Sequence, residues 1–378
     1  MITYQGLLPD AQYQGLIKEI LENGCLKNTR AGKVISVFGK TMRFDLSKGH
    51  IPLLTTKKVY VKSVIYELLW FISGNTNIRY LVQNGVHIWV DDAYRHYKDL
   101  VGVSNQKTTE LNNSGYNCNS LIECDVFPKC EFVQKVLDGE QITLLDKNGE
   151  AYTYHYGDMG NIYGAQWRRW QKKDGTFVDQ LKNIIDTLKT NPDDRRMILT
   201  AWNVGELEDM GLPPCHFCCE FYTAPIEEEY EDGEVVSAAT HCKELFCDCN
   251  ETRIEKQRVS KRRKLCCLLN CRSQDVMLGT PFNIASYAIF TRMIAQCVGM
   301  ECGELIWVGG DCHIYANHID GALEQLSRDA YKYNVPTLQI DSNITDIDSF
   351  SFENFHISDY YCYPPIKLPL SVGDTDCN

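Results

Sequence analysis

Residues 61–72, VKSVIYELLWFI, form an almost unbroken apolar stretch that predicts a largely buried helix. The preceding stretch from Val34 to Leu46, broken by Gly39, is typical of a strand and a turn. Residues 13–23 carry apolar side chains at helical spacing, and a second short helix is predicted from Ile78 to Gln83. This mixture of helices and strands favours an α/β protein.

Glu67 lies inside the predicted apolar helix. A carboxylate in such a place is either paired with a structural partner or has a raised pKa that suits proton transfer. The sequence leaves both interpretations open.

The length and composition of the chain limit its possible functions. Its 378 residues are enough for one enlarged domain or two, and 44% apolar residues supply a core. A net charge of -12 argues against non-specific binding to nucleic acid or to an anionic membrane. An anionic ligand would therefore need a local cluster of arginines.

Neither a membrane span nor a secretion signal is predicted. The apolar stretch from Val64 to Ile72 is far shorter than the roughly 20 residues that cross a bilayer. The first residues, MITYQGLLPDAQ, lack the basic start and apolar run of a signal peptide. We therefore expect a cytoplasmic protein. In that reducing compartment, the 18 cysteines are expected to be free thiols, metal ligands or a nucleophile and not disulfides.

Two polar stretches, about residues 98–157 and 224–266, are interpreted as insertions. Between them, the sequence predicts a helix over residues 178–190 and a strand in MILTAWNV, residues 197–204. The second stretch contains an acidic run and then a basic run, which suits a solvated hairpin with two charged arms.

The second polar stretch also contains residues that could bind zinc. Their spacing, C-x4-C-x-C, matches none of the usual structural-zinc patterns closely, so no metal is predicted and the question stays open. The sequence contains neither G-x-x-x-x-G-K-[ST] nor G-x-G-x-x-G, which argues against P-loop and Rossmann proteins. The possible zinc ligands are His241, Cys242, Cys247, Cys249, Cys266 and Cys267.

The segment LPPCH, residues 212–216, places Cys215 directly after a rigid Pro-Pro pair and beside a histidine. A thiol held at a turn suits a nucleophile that nearby positive charge activates. Candidate arginines for this charge are Arg30, Arg195, Arg196 and Arg272, the last followed by Ser273. The guanidinium groups of arginines, together with a hydroxyl, can bind a phosphate dianion. We expect the positive charge of the arginines also to lower the pKa of the Cys215 thiol. We therefore infer that Cys215 attacks a phosphorylated substrate.

Several strings together resemble the thymidylate synthase family, in the order that the family has them. They are PLLTTKK (52–58), ELLWF (67–71), DDRRMILTAWN (193–203), LPPCH (212–216), LGTPFNIASYA (278–288), GGDCHIYANH (309–318) and PPIKLPLSV (364–372). The resemblance implies one catalytic domain over residues 1–378 that contains the two insertions. It further implies an α/β fold with a large mixed sheet, flanking helices and a homodimer formed sheet to sheet. It also implies transfer of a one-carbon unit from 5,10-methylenetetrahydrofolate to C5 of a pyrimidine deoxynucleotide.

The resemblance implies a role for each matching residue. Cys215 resembles the nucleophile that adds to C6 of the pyrimidine, and Glu67 resembles the buried acid or base. Arg195 and Arg196 resemble the pair that reaches the phosphate from the other subunit. The catalytic positions are Cys215, Glu67, Tyr163 and Asp275; the substrate positions are Arg30, Arg195, Arg196, His216, Arg272, Ser273, Asn283, His313 and Tyr315; the folate positions are Trp89, Asp275, Leu278, Gly279, Phe282 and Val372.

Asn283 matches the position that selects the base. A primary amide can donate to O4 of uracil and accept from its N3–H, whereas relatives that act on dCMP have an aspartate at this position. The resemblance therefore implies that dUMP is the substrate.

The sequence also departs from the synthase pattern. The segment after Arg30 is one residue shorter, Asn161 replaces a proline, and Cys271 replaces the glutamine before Arg-Ser. Asp92 stands where a tryptophan is usual, and residues 373–378 extend the chain beyond the usual C-terminal residue, Val372.

These departures concern the folate side and the C-terminal lid, which in synthases exclude water. They predict a phage-type dUMP hydroxymethylase, which adds water to the intermediate and gives 5-hydroxymethyl-dUMP and tetrahydrofolate. The alternative is a thymidylate synthase, favoured by the presence of Trp89. A remote alternative is an inactive relative that binds nucleotide or RNA; we expect no membrane or nucleic-acid partner.

Overall fold

The computed structural model describes residues 8–29, 31–114, 124–226 and 262–369. Its α-helices are α1 (Pro9–Asn23), α2 (Val61–Ile72), α3 (Arg79–Gln83), α4 (Val90–Asn113), α5 (Lys129–Asp138), α6 (Tyr163–Arg168), α7 (Gln180–Thr190), α8 (Gly279–Cys297) and α9 (Ile319–Leu326). Its strands are β1 (Cys25–Thr29), β2 (Gly32–Asp45), β3 (Gln141–Leu145), β4 (Ala151–His155), β5 (Trp170–Gln171), β6 (Phe177–Val178), β7 (Ile198–Thr200), β8 (His216–Pro225), β9 (Arg263–Asp275), β10 (Glu301–Tyr315), β11 (Thr337–Ile340) and β12 (Phe355–Ser358).

Six of these strands form one mixed sheet in the order β1-β2-β10-β9-β8-β7. Strands β9 and β10 are parallel, and the other neighbours in this sheet are antiparallel. The remaining strands pair as β3-β4, β5-β6 and β11-β12. The predicted large mixed sheet with flanking helices is therefore confirmed.

One row of side chains across the sheet shows where the core lies. Its five members pair across β7, β8, β9, β10 and β2, and each is at most 2% exposed. Helices α1 and α8 pack against strands of this sheet, and the apolar side chains of the row stabilise that layer. The row consists of Leu199, Cys219, Leu269, Trp307 and Met42.

The neighbouring row points to the opposite face, because side chains alternate along a strand. Its five members are exposed or half-buried. Farther along β8 on this same face, Tyr222 is 66% exposed. Within the single described chain, this face is therefore largely uncovered. The row consists of Ile198, Glu220, Leu268, Ile306 and Arg43.

Most of the predicted elements are present, with changed boundaries. Helix α2 has the predicted bounds, whereas α1 begins earlier, at Pro9. The turn predicted at Gly39 is wrong, since β2 continues through this residue. Gly39 has a φ of 71°, a left-handed conformation that a glycine adopts inside an irregular strand without a steric penalty. The strand predicted over residues 197–204 is limited to Ile198–Thr200.

The polar stretch 98–157 contains regular structure in its described part. Tyr97, near the middle of α4, packs against Phe132 of α5 and Tyr154 of β4, with ring centroids 5.3 and 6.3 Å apart. Aromatic rings at these separations gain stabilisation beyond the burial of their area. The described part of this stretch therefore packs through an aromatic cluster that is continuous with the main hydrophobic core.

The sheet topology brings three chain segments to one edge. Because β9 and β10 are parallel, their carboxyl ends, Asp275 and Tyr315, lie at the same edge. Strand β8 is antiparallel to β9, so its first residue, His216, also lies there. Helix α8 begins at Gly279, four residues after β9 ends.

Candidate active site

Arg272 fixes the turn that carries Cys215. Its backbone N–H donates to the Cys215 carbonyl at 2.9 Å, and its guanidinium donates to the carbonyls of Pro213 and Pro214 at 2.9 and 2.8 Å. The same guanidinium lies 5.3 Å from the ring centroid of Trp202, a cation–π distance. The arginine therefore holds the Pro-Pro turn in place and adds positive charge beside the thiol.

The pKa of the half-buried Cys215 thiol is raised, chiefly because burial disfavours the thiolate. Arg272 lowers this pKa, while the carboxylates of Asp92 and Asp275 raise it. The expectation that arginines lower this pKa holds for Arg272, while Arg30 lies outside the described residues. In the described part of the single chain, desolvation outweighs the effect of Arg272.

Tyr163 and His216 surround the backbone of Cys215. The Cys215 N–H donates to the Tyr163 hydroxyl at 2.8 Å, and the Tyr163 ring stacks on His216 at 4.2 Å. The His216 Nδ1 lies 3.0 Å from the Tyr287 hydroxyl. Burial lowers the pKa of His216 to about 3, so the imidazole is neutral at physiological pH.

Glu67 is buried in α2 and accepts a hydrogen bond from the Trp89 indole N–H at 2.7 Å. Burial raises the pKa of Glu67 to about 7, although the Trp89 bond lowers it. Both interpretations of Glu67 therefore hold together, since it has a partner and a raised pKa. A carboxyl group that titrates near neutral pH can take up and release protons.

Trp89 belongs to an aromatic wall beside Glu67. Its ring lies 5.4 Å from Trp70, 6.2 Å from Phe71 and 6.0 Å from Tyr163, in edge-on arrangements. Only 7% of Trp89 is exposed. The wall therefore joins Glu67 to the Tyr163 and His216 pair and keeps this region apolar.

Asp275 ends β9 and organises the turn into α8. Its Oδ1 accepts from the backbone N–H groups of Met277 and Leu278 at 2.9 and 3.1 Å. Lys57 donates to the Met277 carbonyl, and burial lowers the pKa of this lysine to about 8 while Asp275 raises it. Leu278 and Phe282 are half-buried beside this turn. An apolar surface next to a carboxylate fits the flat ring of a folate.

The end of β10 contributes two further predicted residues. His313 pairs with Asp275 in the sheet register, and its Nδ1 lies 3.3 Å from the Asp311 carboxylate. Tyr315 packs edge-on against the His313 ring, at 5.2 Å. Ser273 lies next to Arg272 in β9, opposite Asp311.

Asn283 lies in α8 and is 8% exposed. Its Oδ1 accepts a hydrogen bond from the Gln274 amide at 3.1 Å. Gly279 is close by, because a Cβ at this position would lie 3.9 Å from the same oxygen. The predicted base-selecting and folate positions are therefore neighbours at the start of α8.

The described structure does not place four predicted residues beside Cys215, two of them because they fall outside the described ranges. Arg30 and Val372 are outside the described residues, as are the C-terminal extension and the possible zinc ligands between His241 and Cys249. Arg195 and Arg196 are exposed and line an open depression of about 710 Å³ before β7. Arg196 pairs with Asp194 at 2.9 Å, and neither arginine affects the pKa of Cys215.

Three buried residues of the site were not singled out by the sequence pattern. They are Lys57, Gln274 and Tyr287, which contact the Asp275 turn, Asn283 and His216 respectively. Lys57 and Gln274 are polar residues beside candidate motifs, which could have drawn attention to them. Tyr287 carries no such signal, because an aromatic residue in an apolar helix is usually part of the core.

The described residues contain neither a metal-binding cluster nor a membrane-spanning helix. Within residues 8–29, 31–114, 124–226 and 262–369, no group of three His, Cys, Asp or Glu side chains could hold a metal ion. Among the helices of these same ranges, none is long and apolar enough to cross a membrane. The thirteen cysteines in these ranges are free thiols.

Comparisons with known proteins agree with this geometry. The family model described as thymidylate synthase matches residues 11–372. A thymidylate synthase of Zymomonas mobilis is 37% identical, over 97% of this chain and 100% of the relative. Thymidylate synthases of Rhizobium rhizogenes and Listeria monocytogenes are 36% and 39% identical, each over 96% of this chain and 99% of the relative. The chain belongs to the thymidylate synthase family and is a one-carbon transferase that acts on dUMP with 5,10-methylenetetrahydrofolate as the one-carbon donor.

Proposed function

We propose that the reaction is the reductive methylation of dUMP, which gives dTMP and dihydrofolate. The observation that carries the proposal is the aromatic wall of Trp89, Trp70, Phe71 and Tyr163 beside Glu67. A hydroxymethylase must admit water to the methylene intermediate, whereas a synthase must exclude it. A closed apolar wall favours the synthase, and the relatives named thymidylate synthase support the same choice.

Three of the departures that favoured a hydroxymethylase, at Cys271, Asn161 and Asp92, differ in their burial and contacts. Cys271 is 2% exposed in the sheet, whereas Asn161 is exposed and its carbonyl accepts from Gln166. Asp92 is paired with Arg95 at 2.8 Å. Neither the burial of Cys271 nor these two contacts describes a water path, so the phage-type hydroxymethylase is the alternative and not the proposal.

In the proposed mechanism, the Cys215 thiolate adds to C6 of dUMP and makes C5 a carbon nucleophile. Arg272 supports the thiolate and contributes to the phosphate site. Glu67 exchanges protons through its carboxyl group, whose pKa is about 7. Bound folate would supply the methylene carbon and then the hydride. C5 loses its proton after the carbon is transferred, and Cys215 leaves C6 as the thiolate, so that the product is free of the enzyme. Trp89 keeps water away while C5 carries the exocyclic methylene group.

We also propose that the protein is a homodimer with shared sites. The uncovered sheet face presents Ile198 and Tyr222, which are 46% and 66% exposed. Large exposed apolar patches mark protein interfaces. Arg195 and Arg196 are exposed and stand apart from the Cys215 turn of their own chain, as expected of residues that serve a partner. Mixing Arg196→Ala and Cys215→Ser chains should restore turnover; no restoration under conditions of subunit exchange would contradict the shared site.

Product analysis tests the proposed reaction. The protein is incubated with dUMP and 5,10-methylenetetrahydrofolate, and the nucleotide product is identified by mass spectrometry while dihydrofolate is followed by absorbance. We expect dTMP and dihydrofolate in equal amounts, and no product from a Cys215→Ser control. Formation of 5-hydroxymethyl-dUMP with tetrahydrofolate would overturn the proposal in favour of the hydroxymethylase.

A further inference from the structure

Gln274 is a buried amide between Ser273 and Asp275, and all its polar atoms are engaged. Its Nε2 donates to the Ser273 carbonyl at 3.2 Å and to the Asn283 Oδ1 at 3.1 Å. Its Oε1 accepts from the Thr280 hydroxyl at 3.0 Å. The side chain is therefore fixed from three sides at the end of β9.

These contacts determine which way both amides face. A backbone carbonyl can only accept, so the Gln274 atom beside the Ser273 carbonyl must be the amide nitrogen. The second proton of that nitrogen then points at Asn283, whose facing atom must be an acceptor, Oδ1. A rotation of the Asn283 amide by 180° would place two NH2 groups against each other.

The direction of the Asn283 amide matters because uracil and cytosine present opposite patterns. Uracil offers O4 as an acceptor and N3–H as a donor, while cytosine offers a 4-amino donor and N3 as an acceptor. One orientation of a primary amide matches uracil, and the flipped orientation matches cytosine. A group that blocks the flip therefore selects between the two bases.

We propose that Gln274 is a positioning residue that sets the base choice by holding Asn283 in the orientation that matches uracil. This inference rests on the proposed recognition of dUMP by Asn283. Gln274 does not touch the nucleotide itself; it acts by making the orientation that matches cytosine lose a buried hydrogen bond.

The test compares the binding of dUMP and dCMP, without folate, by isothermal titration calorimetry. Gln274→Met keeps the volume of the side chain but removes the amide, so either orientation of Asn283 becomes possible. We expect the ratio of the dCMP and dUMP dissociation constants to fall by about tenfold, since losing one buried hydrogen bond is worth about one factor of ten. If Gln274 had a merely structural role, its loss would weaken the binding of both nucleotides equally. The ratio of their dissociation constants would then stay unchanged.

Gln274→Glu provides a second variant with a distinct expectation. Its carboxylate accepts rather than donates, so it favours the flipped Asn283 amide, and the ratio should fall further than in Gln274→Met. Thr280→Val, which removes only the hydroxyl that holds Oε1, should give a smaller fall in the same direction. Circular dichroism measures whether each variant is folded. If the other two variants are not folded, the milder Thr280→Val change still provides the test.

Gln296→Met is the matched control. Gln296 also donates two hydrogen bonds to backbone carbonyls, of Asp341 and Ile344, but it lies in the last turn of α8, away from Asn283. The ratio of the dCMP and dUMP dissociation constants of this variant should equal that of the unmodified protein. Folded Gln274 variants that also keep this ratio would overturn the inference. A failure of the unmodified protein to prefer dUMP would instead contradict the proposed function.

Discussion

Glu67 and Asp10 are both buried carboxylates, but their surroundings differ. Asp10, in the first turn of α1, accepts four hydrogen bonds, from the backbone and hydroxyl of both Thr55 and Thr56, at 2.5 to 2.9 Å. Glu67 accepts a single hydrogen bond from the described residues, from the Trp89 indole N–H, at 2.7 Å. Burial raises the pKa of both carboxyl groups, and in Asp10 the four bonds oppose it.

The difference indicates what each carboxylate does. With four donors, Asp10 joins α1 to the Thr55–Thr56 segment, which precedes the buried Lys57. A carboxylate held by so many donors is a structural link. Glu67 keeps hydrogen-bonding capacity in a site that contains Tyr163 and Cys215, which suits a group that exchanges protons. The same change, from carboxylate to amide, should therefore affect turnover at one position and stability at the other.

The largest expected effect is on turnover in Glu67→Gln. The amide can still accept from the Trp89 indole, so the geometry is preserved while the titrating proton is lost. We expect kcat to fall by about a thousandfold, the usual range for loss of a general acid or base. Steady-state assays of dTMP formation measure it, with Asp10→Asn as the control. A kcat within tenfold of the unmodified protein would contradict the proton-transfer role.

The second effect is on the pH dependence of stability. Glu67 has a pKa of about 7 in the folded protein against 4.5 as its ordinary value, so the folded state holds the proton more tightly. Its stabilising contribution is full below pH 4.5 and is lost as the pH rises to 7. A shift of this size corresponds to about 3 kcal/mol. Glu67→Gln should therefore be more stable than the unmodified protein above pH 7, and by less at acidic pH.

Urea unfolding at fixed protein concentration, repeated across this pH range, measures the difference. A difference that does not change with pH would contradict the raised pKa. Inactivation together with stabilisation would identify Glu67 as a residue retained for function at the expense of stability.

Sequence patterns predicted the helix around Glu67 well, because an apolar stretch reports burial directly. They could not identify Trp89 as its partner, since the two are 22 positions apart and the contact depends on the fold. The same limit applies to the pKa of Cys215, which is raised by burial although Arg272 lowers it. Neighbouring arginines are visible in a sequence, whereas the extent of desolvation is not.

The contacts of Asp10 were also not predictable from the sequence. It precedes the residues whose spacing predicted the first helix, and nothing local links it to a threonine pair 45 positions away. The family strings placed Thr55 and Thr56 within PLLTTKK without assigning them a role. Long-range polar contacts of this kind become visible only when the chain is folded.

The smallest expected effect is a loss of stability in Asp10→Asn. An amide has one acceptor oxygen, so its NH2 group must face the backbone N–H of either Thr55 or Thr56. A buried donor left without an acceptor lowers the free energy of unfolding by about 2 kcal/mol. Urea unfolding at neutral pH measures this loss, and kcat well below the unfolding transition should stay close to that of the unmodified protein. A drop in kcat comparable to that of Glu67→Gln, with unchanged stability, would place Asp10 in the chemistry and remove the distinction between the two carboxylates.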